Sequence, residues 1–314
     1  MGVYNGARHI ATQLNSILTQ SHTNWELLVR DDVSSDDSMD ILKSYADNDT
    51  RITLIRDNLG NKGALGNFSL LMEKGLQTSS RYFVFSDQDD IWQPDKLSVQ
   101  LEQMKKTETN YGEIPILLHS DLEVVSASLD SISPSLMKYQ GIRHESFDPL
   151  TVLLVQNFIT GCTVMINRRL LEIALPLPKS ALMHDWWLGL CAAVFGQIQF
   201  TNTPLVRYRQ HDNNAVGAKS ILQFLNPFKV NWWEAWLSGK KNLTQSIFQA
   251  QSLGRRILEH DPANQHLPLI QTYSSLLALT PTHRLLELKR RQIYPQAKFR
   301  QVLAMSRFLF LSEK

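Results

Sequence analysis

A chain of 314 residues with 43% apolar and 20% charged side chains, 14 Gly and 12 Pro has length for one large domain or two smaller ones, and its composition excludes collagenous, low-complexity and disordered classes. Its two cysteines, Cys162 and Cys191, stand in apolar runs without C-x-x-C or zinc spacing, so neither a disulfide framework nor a cysteine-based metal site is expected, and a reducing compartment fits. The formal charge of +2 hides an asymmetry: residues 1–220 carry 19 Lys and Arg against 25 Asp and Glu, whereas 221–314 carry 13 against 5.

An acidic body with a basic appendage follows from that count, and the appendage can meet either an anionic surface or the acidic body itself. The apolar stretch Trp186–Gly196 is about half of the roughly 20 residues a spanning helix needs, so no transmembrane helix is expected. The start, Met1-Gly2-Val3-Tyr4-Asn5-Gly6, lacks signal-peptide organisation and a myristoylation serine or threonine, which predicts a cytoplasmic location.

In chain order, Ile10, Leu14, Ile17 and Leu18 fall at helical spacing, and Trp25–Arg30 reads as a buried strand ending at Asp31-Asp32. Ile41, Leu42 and Tyr45 mark a second helix, residues 51–55 a strand, and residues 67–76 a helix. Residues 82–86 form a strand running into Asp87-Gln88-Asp89-Asp90, and Pro94 opens a helix lined by Leu97, Leu101 and Met104. Strands alternating with helices predict an α/β fold with a mostly parallel central sheet. Such a sheet opens on a strand, yet only three residues precede Tyr4-Asn5-Gly6, so the first strand is expected to be truncated. Further on, residues 116–119, 161–166, 198–201 and 205–208 read as strands and residues 184–195 as a helix. Beyond Gly217 the pattern is helical, with Trp232, Trp233 and Trp236 near Phe224, Phe228 and Lys229. The expected division is 1–217, with halves 1–113 and 114–217, followed by a basic helical extension, 218–314.

In open α/β sheets ligands bind beyond the carboxyl ends of the strands, where both acidic clusters fall. Three carboxylates in four residues, Asp87, Asp89 and Asp90, repel one another unless a cation neutralises them, and hard oxygen ligands suit Mg²⁺ or Mn²⁺. The same residues would also serve as an acidic turn capping the Pro94 helix. Asp31, Asp32 and Ser34 can cap the next helix. Gly60, Gly63 and Gly66 could suggest a phosphate cradle but fit neither the P-loop nor the dinucleotide fingerprint, and serve equally as a flexible connection with a helix start near Asn67. Asp185, beside Trp186-Trp187, is a candidate general base or a helix cap. His211, after Arg207 and Arg209, can ligate a metal, with the guanidinium groups on a diphosphate, or be an ordinary loop residue. Gly161-Cys162-Thr163 is assigned no chemistry.

The string Asp87-Gln88-Asp89-Asp90-Ile91-Trp92-x-Pro94-x-Lys96-Leu97 resembles the Asp-x-Asp segment of inverting family 2 glycosyltransferases of GT-A fold, especially the bacterial rhamnosyltransferase-like branch. Tyr4-Asn5-Gly6, Asp31-Asp32-x-Ser34-x-Asp36, Asn58-x-Gly60-x-x-Gly63-x-x-x-Asn67-Phe68, His184-Asp185-Trp186-Trp187 and Tyr208-Arg209-Gln210-His211-x-x-Asn214 are similar to family segments in the correct order, covering residues 1 to about 217. The resemblance implies a metal-dependent, inverting hexosyl-type glycosyltransferase. The donor would be a dTDP- or UDP-linked sugar, with rhamnose favoured, and the acceptor a hydroxyl of a cell-surface glycan or lipid-linked glycan. It assigns Asp185 as the catalytic base, Tyr4, Asn5, Asp31, Asn67, Asp87 and Arg209 to the donor, and Asp89, Asp87 and His211 to the Mn²⁺ or Mg²⁺ ion. Where the family carries Gly, this chain has Val33, which bears on the local turn. No nucleic acid partner is expected, while residues 221–314 offer a peripheral contact to the inner face of the plasma membrane. The alternatives are a sugar-phosphate nucleotidyltransferase, which should show an Arg- and Lys-containing glycine-rich loop near its start, and a non-catalytic sugar-binding protein.

Overall fold

Residues 1–211 and 231–311 are described by a computed structural model. Asn214, Phe224, Phe228, Lys229 and the expected boundary at 217/218 lie outside the described residues. The alternation of strand and helix signals is realised as β1 (Gly2–Val3), α1 (Ile10–Leu18), β2 (Leu27–Asp31), α2 (Ser38–Asn48), β3 (Ile52–Leu54), α3 (Gly63–Leu76) and β4 (Tyr82–Val84). These are followed by β5 (Ile91–Trp92), α4 (Lys96–Tyr111), β6 (Ile116–Ser120), β7 (Glu123–Val125) and β8 (Ser131–Ser133). Then come α5 (Leu136–Gln140), α6 (Pro149–Leu153), β9 (Met165–Asn167), α7 (Arg168–Ala174), α8 (His184–Phe195), β10 (Gln197–Thr201) and β11 (Val206–Arg209). The helices α9 (Trp232–His260), α10 (Leu267–Ser274), α11 (Pro281–Arg290) and α12 (Lys298–Leu309) complete the chain.

Two units form. The first comprises Met1–Leu136, Thr160–Pro176 and the strands from Gln199 on; the second comprises Met137–Ile159, Leu177–Ile198 and the helices from Trp232 on. Segments 137–159 and 177–198, which fall in the expected half 114–217, group with the C-terminal helices.

In the first unit β1, β2 and β3 pair in parallel in that order, with Val3 opposite Asp31 and Leu28 opposite Thr53. β1 is two residues long. A second sheet has the order β10-β6-β9-β4, in which β9 runs antiparallel to both β4 and β6. A third has the order β5-β11-β7-β8, with β11 parallel to β7 and antiparallel to β5. Residues 161–163, expected to begin a strand, instead make a short 3-10 turn ahead of β9.

The helical period of α1 buries Ile10, Leu14 and Ile17, but also the polar Gln13 and Ser16. Those polar groups hold the segment that follows β4. Gln13 Nε2 donates to Ser86 Oγ (2.8 Å), Trp92 N to Ser16 Oγ (3.0 Å), Gln20 Nε2 to Gln93 O (2.7 Å), and Leu97 N to Gln20 Oε1 (3.0 Å). Buried amides must be paired, so this register fixes the acidic loop against α1.

In the second unit α9 buries Leu243, Ile247, Ala250, Leu253 and Ile257 along one face, at the spacing of a core-facing stripe. Tyr273 and Phe308 are fully buried and meet edge to face at 6.5 Å. Arg284, 2% exposed, donates Nε to Leu276 O (2.8 Å), Nη1 to Phe308 O (2.6 Å) and Leu311 O (3.2 Å), and Nη2 to Leu277 O and Leu279 O. One guanidinium thus closes the helix ends of this bundle, because its fork of donors satisfies carbonyls that the terminated helices leave open.

Candidate active site

The acidic loop joins β4 to β5, and β5 pairs with β11 so that Arg207 lies opposite Ile91. Carried two residues further, that register sets Asp89 across from Arg209, whose Nε donates to Asp89 O (3.0 Å). The chain then brings His211 Nε2 to 2.8 Å from Asp89 Oδ2, with side chains only 11% and 13% exposed. Two of the three predicted metal ligands are therefore together. His9 stacks on His211 at 4.9 Å, and its pKa is lowered by burial and by the charges of Arg209, His211 and Arg8.

Asp87 has a different neighbourhood. Its carboxylate and the ligating atoms of Asp90 and Cys162 lie within 4.8 Å of one another. Asp90 is fully buried, and neither of its oxygens has a hydrogen-bond partner of good geometry; the Cys162 thiol and the Arg209 N–H are donors close by. Burial, with the charges of Asp87 and Asp89, pushes Asp90 well above the ordinary carboxylate range. Lys96, equally buried, donates Nζ to Gln100 Oε1 (2.8 Å) and lies 4.3 Å from the centre of the Trp92 ring; burial brings its pKa down to about 7. Cys162, expected in plain apolar surroundings, belongs to this polar cluster. Its signal in the sequence was absent, since residue 162 is brought to residue 90 only by the insertion of β9 between β4 and β6.

The remaining donor-side residues form an interlocked pair of loops. Tyr4 is 52% exposed, and its backbone is clamped by Gln88, with Tyr4 N donating to Oε1 (2.6 Å) and Nε2 donating to Tyr4 O (2.9 Å). Gln88 was missed in the sequence although it is the middle residue of Asp87-Gln88-Asp89. Gly6 has no room for a side chain, because a Cβ there would fall 2.6 Å from Gln88. Asn5 Oδ1 accepts from Ser35 N (2.8 Å), and Ala7 N donates to Asp36 Oδ2 (3.0 Å). Asp31 accepts from Ser34 N (2.9 Å) and Ser34 Oγ (2.5 Å), and Val33 between them has φ of 67°.

Asp32, a residue given no separate role above, is buried and anchors the glycine loop: it accepts from Lys62 N and Gly63 N (both 2.8 Å) and from Arg30 Nη1 (2.6 Å). Gly60 and Gly63 have φ of 73° and 68°, which only glycine adopts without strain. The helix after them begins at Gly63 rather than near Asn67. Asn67 itself is buried, its amide exchanged with Arg30 O and Arg30 Nη1 (both 3.2 Å), so it stands behind this loop. Arg207 is engaged by Glu123 (3.2 Å) and Leu129 O, and Arg209 Nη1 by Ala127 O (2.8 Å). Arg8, by contrast, is exposed and has no ion pair among the described residues.

Within the second unit Asp185 is buried in the first turn of α8, whose N-cap position is Met183. Asp185 Oδ1 accepts from Trp186 N (2.6 Å) and Asn157 Nδ2 (3.3 Å), and Trp186 Nε1 donates to Leu153 O (2.6 Å). The carboxylate is thus oriented by α8 and by the 153–159 segment.

Residues 1–172 match the family model described as glycosyl transferase family 2. The chain belongs to glycosyltransferase family 2. TuaG of Bacillus subtilis, whose name ties it to teichuronic acid biosynthesis, is 31% identical over 219 residues, 67% of this chain and 77% of that one. The dTDP-rhamnosyl transferase RfbG of Shigella flexneri is 27% identical over 81% of this chain and 88% of its own. The UDP-Glc:alpha-D-GlcNAc-diphosphoundecaprenol beta-1,3-glucosyltransferase WfgD of Escherichia coli is 31% identical over 55% of this chain and 60% of its own. Among solved structures, TarS of S. aureus in complex with UDP-GlcNAc covers 98% of this chain and 86% of that chain with a TM-score of 0.56 at 15% identity, a likeness of fold that makes the first unit a GT-A sheet. This family 2 enzyme acts on nucleotide sugar donors. Among the described residues no helix is long and apolar enough to cross a membrane.

Proposed function

We propose that this family 2 glycosyltransferase moves a sugar, rhamnose first among the candidates, from a dTDP- or UDP-linked donor to a hydroxyl of a cell-surface or lipid-linked glycan, with inversion and with a divalent cation. The observation that carries the reading is the Asp89–His211 pair at 2.8 Å, a carboxylate oxygen and an imidazole nitrogen converging beside the exposed Tyr4 loop. Mn²⁺ or Mg²⁺ fits this donor set, and when bound would offset the charge on the departing diphosphate. The names of RfbG and WfgD support a dTDP- or UDP-linked donor, and WfgD's a lipid-linked acceptor.

The chain's own residues supply the rest. Tyr4 offers an exposed ring for a base to stack on, and Asp31, steadied by Ser34, accepts the imide N–H of uracil or thymine. Arg8 is a cation open to the diphosphate, while Arg209 fixes the Asp89 backbone and Asp87, grouped with Asp90 and Cys162, adds negative charge to the same loop. Asn5 and Asn67 act by holding the loops. Asp185 takes the proton from the attacking hydroxyl, and a diphosphate leaves without a separate carboxylic acid.

The test is release of nucleoside diphosphate from a panel of nucleotide sugars, dTDP-rhamnose and UDP-glucose among them, with Mn²⁺ or Mg²⁺ present. Release should vanish on chelation and fall about 10²-fold or more in Asp89→Ala. In Asp185→Asn transfer should fall by about 10²- to 10⁴-fold while donor binding persists. Pyrophosphate release would instead indicate a nucleotidyltransferase, and sugar binding without turnover a non-catalytic protein. A chelator-stripped enzyme working at full rate would refute the metal.

A further inference from the structure

At the start of α9 and the end of α12 the second unit presents aromatic side chains to solvent. Trp233 is 67% exposed, Phe310 63% and Val302 70%, with Trp232, Leu237 and Leu309 partly so. Trp233 stacks on Trp236 with ring centres 5.7 Å apart and planes 7° from parallel, and Trp236 meets Phe310 edge to face at 5.9 Å. Trp232, Trp233, Trp236, Leu303 and Phe310 line an open groove of about 570 Å³ whose accessible surface is almost wholly apolar. The patch is held in place. Trp236 Nε1 donates to Ser306 Oγ (3.1 Å), and Arg307 reaches from α12 to Trp236 O and Ala235 O (3.2 and 3.0 Å). Gly239 is the residue that lets Arg307 pass, since a Cβ there would overlap the guanidinium.

Apolar exposure of this kind marks an interaction surface, and the charge around it decides the partner. α12 contains Lys298, Arg300 and Arg307 and no acidic residue, and Lys240 and Lys241 follow the tryptophans on α9. Lys240 Nζ lies 6.0 Å from the Trp236 ring centre. Across residues 221–314 the count of 13 Lys and Arg against 5 Asp and Glu repeats the same bias. Tryptophan rings favour the headgroup region of a bilayer, and each nearby lysine or arginine adds attraction to anionic lipid.

We infer that this Trp233–Trp236–Phe310 surface docks the enzyme on an anionic phospholipid bilayer. The inference does not rest on the donor-site reading.

The experiment is co-sedimentation of the full chain with phosphatidylcholine vesicles made with and without phosphatidylglycerol. Binding should require phosphatidylglycerol, weaken as salt is raised because the lysine contribution is screened, and shift Trp fluorescence to the blue. Trp233→Ser with Phe310→Ser, both at exposed positions, should lower the bound fraction about tenfold or more. Lys240→Glu with Lys241→Glu should do the same at low salt, and nucleoside diphosphate release in solution should remain that of the parent in both double variants. Parent-like vesicle binding by either double variant would overturn the inference. So would equal binding to neutral vesicles, or a dimer in sedimentation velocity that the Trp233 and Phe310 changes abolish.

Discussion

Val33 occupies the left-handed region at φ of 67° and is 59% exposed, so its branched side chain gains nothing from packing to offset the clash between Cβ and backbone. That conformation costs a non-glycine residue about 1–2 kcal/mol. The turn is held regardless, because Ser34 N and Oγ both bond to Asp31 and Ser34 Oγ accepts from Asn5 N (2.8 Å). Val33→Gly should therefore raise stability by about 1 kcal/mol, less the small entropic cost of a freer unfolded chain, as read by chemical denaturation. The departure from the family's glycine affects strain in the loop and leaves the Asp31 carboxylate bonded to Ser34. At this scale residue type was readable in advance while partner was not: Asp31 and Asp32 are adjacent, yet one is tied to its own turn and the other spans to Lys62 and Gly63.

Among elements, the pairing of β5 with β11 makes the candidate metal site. β5 is two residues long, Ile91 and Trp92, too short to produce a periodic pattern, so the sequence predicted only a loop there. The segment from 205 to 208 was legible as a strand from its alternation, but its neighbours were not. Gln13 and Ser16 on α1 did leave a trace, as polar residues on an otherwise apolar helix face, and their purpose, with that of Gln20 just past the helix, became clear with Ser86, Trp92 and Leu97 as partners. Elements in the second unit depend on Arg284 in the same way. Arg284→Met keeps the apolar stem but leaves the carbonyls of residues 276, 277, 279, 308 and 311 without this donor. Buried polar groups stripped of charged partners are expensive, so the variant should lose about 3 kcal/mol or more, measured by urea unfolding followed through tryptophan fluorescence.

On the scale of the whole molecule, acid stability follows from groups that folding keeps in one protonation state. His184 is fully buried, and desolvation lowers its pKa from 6.5 to about 3. Between those values the unfolded chain takes up a proton that the folded chain refuses, so stability is complete above pH 6.5 and declines as pH falls toward 3. Asp57, held at about 2 chiefly by its hydrogen bonds from Arg30, extends the decline below pH 3.8 in the same direction. In His184→Gln the melting temperature should change less between pH 6.5 and 4 than in the parent, while the limb below pH 3.8 is retained. A steeper acid limb in that variant would contradict the assignment.

Local order and chemistry were encoded along the chain: the alternation of strands and helices, the acidic turn after β4, the basic aromatic C-terminal region, and the family. Such features depend on neighbours a few residues apart, through periodicity, turn chemistry and charge density, and a linear string carries them directly. The tertiary structure decided which groups meet. Packing set Asp89 against His211, turned Asp87 toward Asp90 and Cys162, hid Asn67 behind Arg30, and grouped residues 137–159 and 177–198 with the C-terminal helices. Those outcomes depend on strand register and on the pairing of polar groups far apart in the chain, 37 residues for Arg30 with Asn67 and 122 for Asp89 with His211, and one sequence holds no local signal for either.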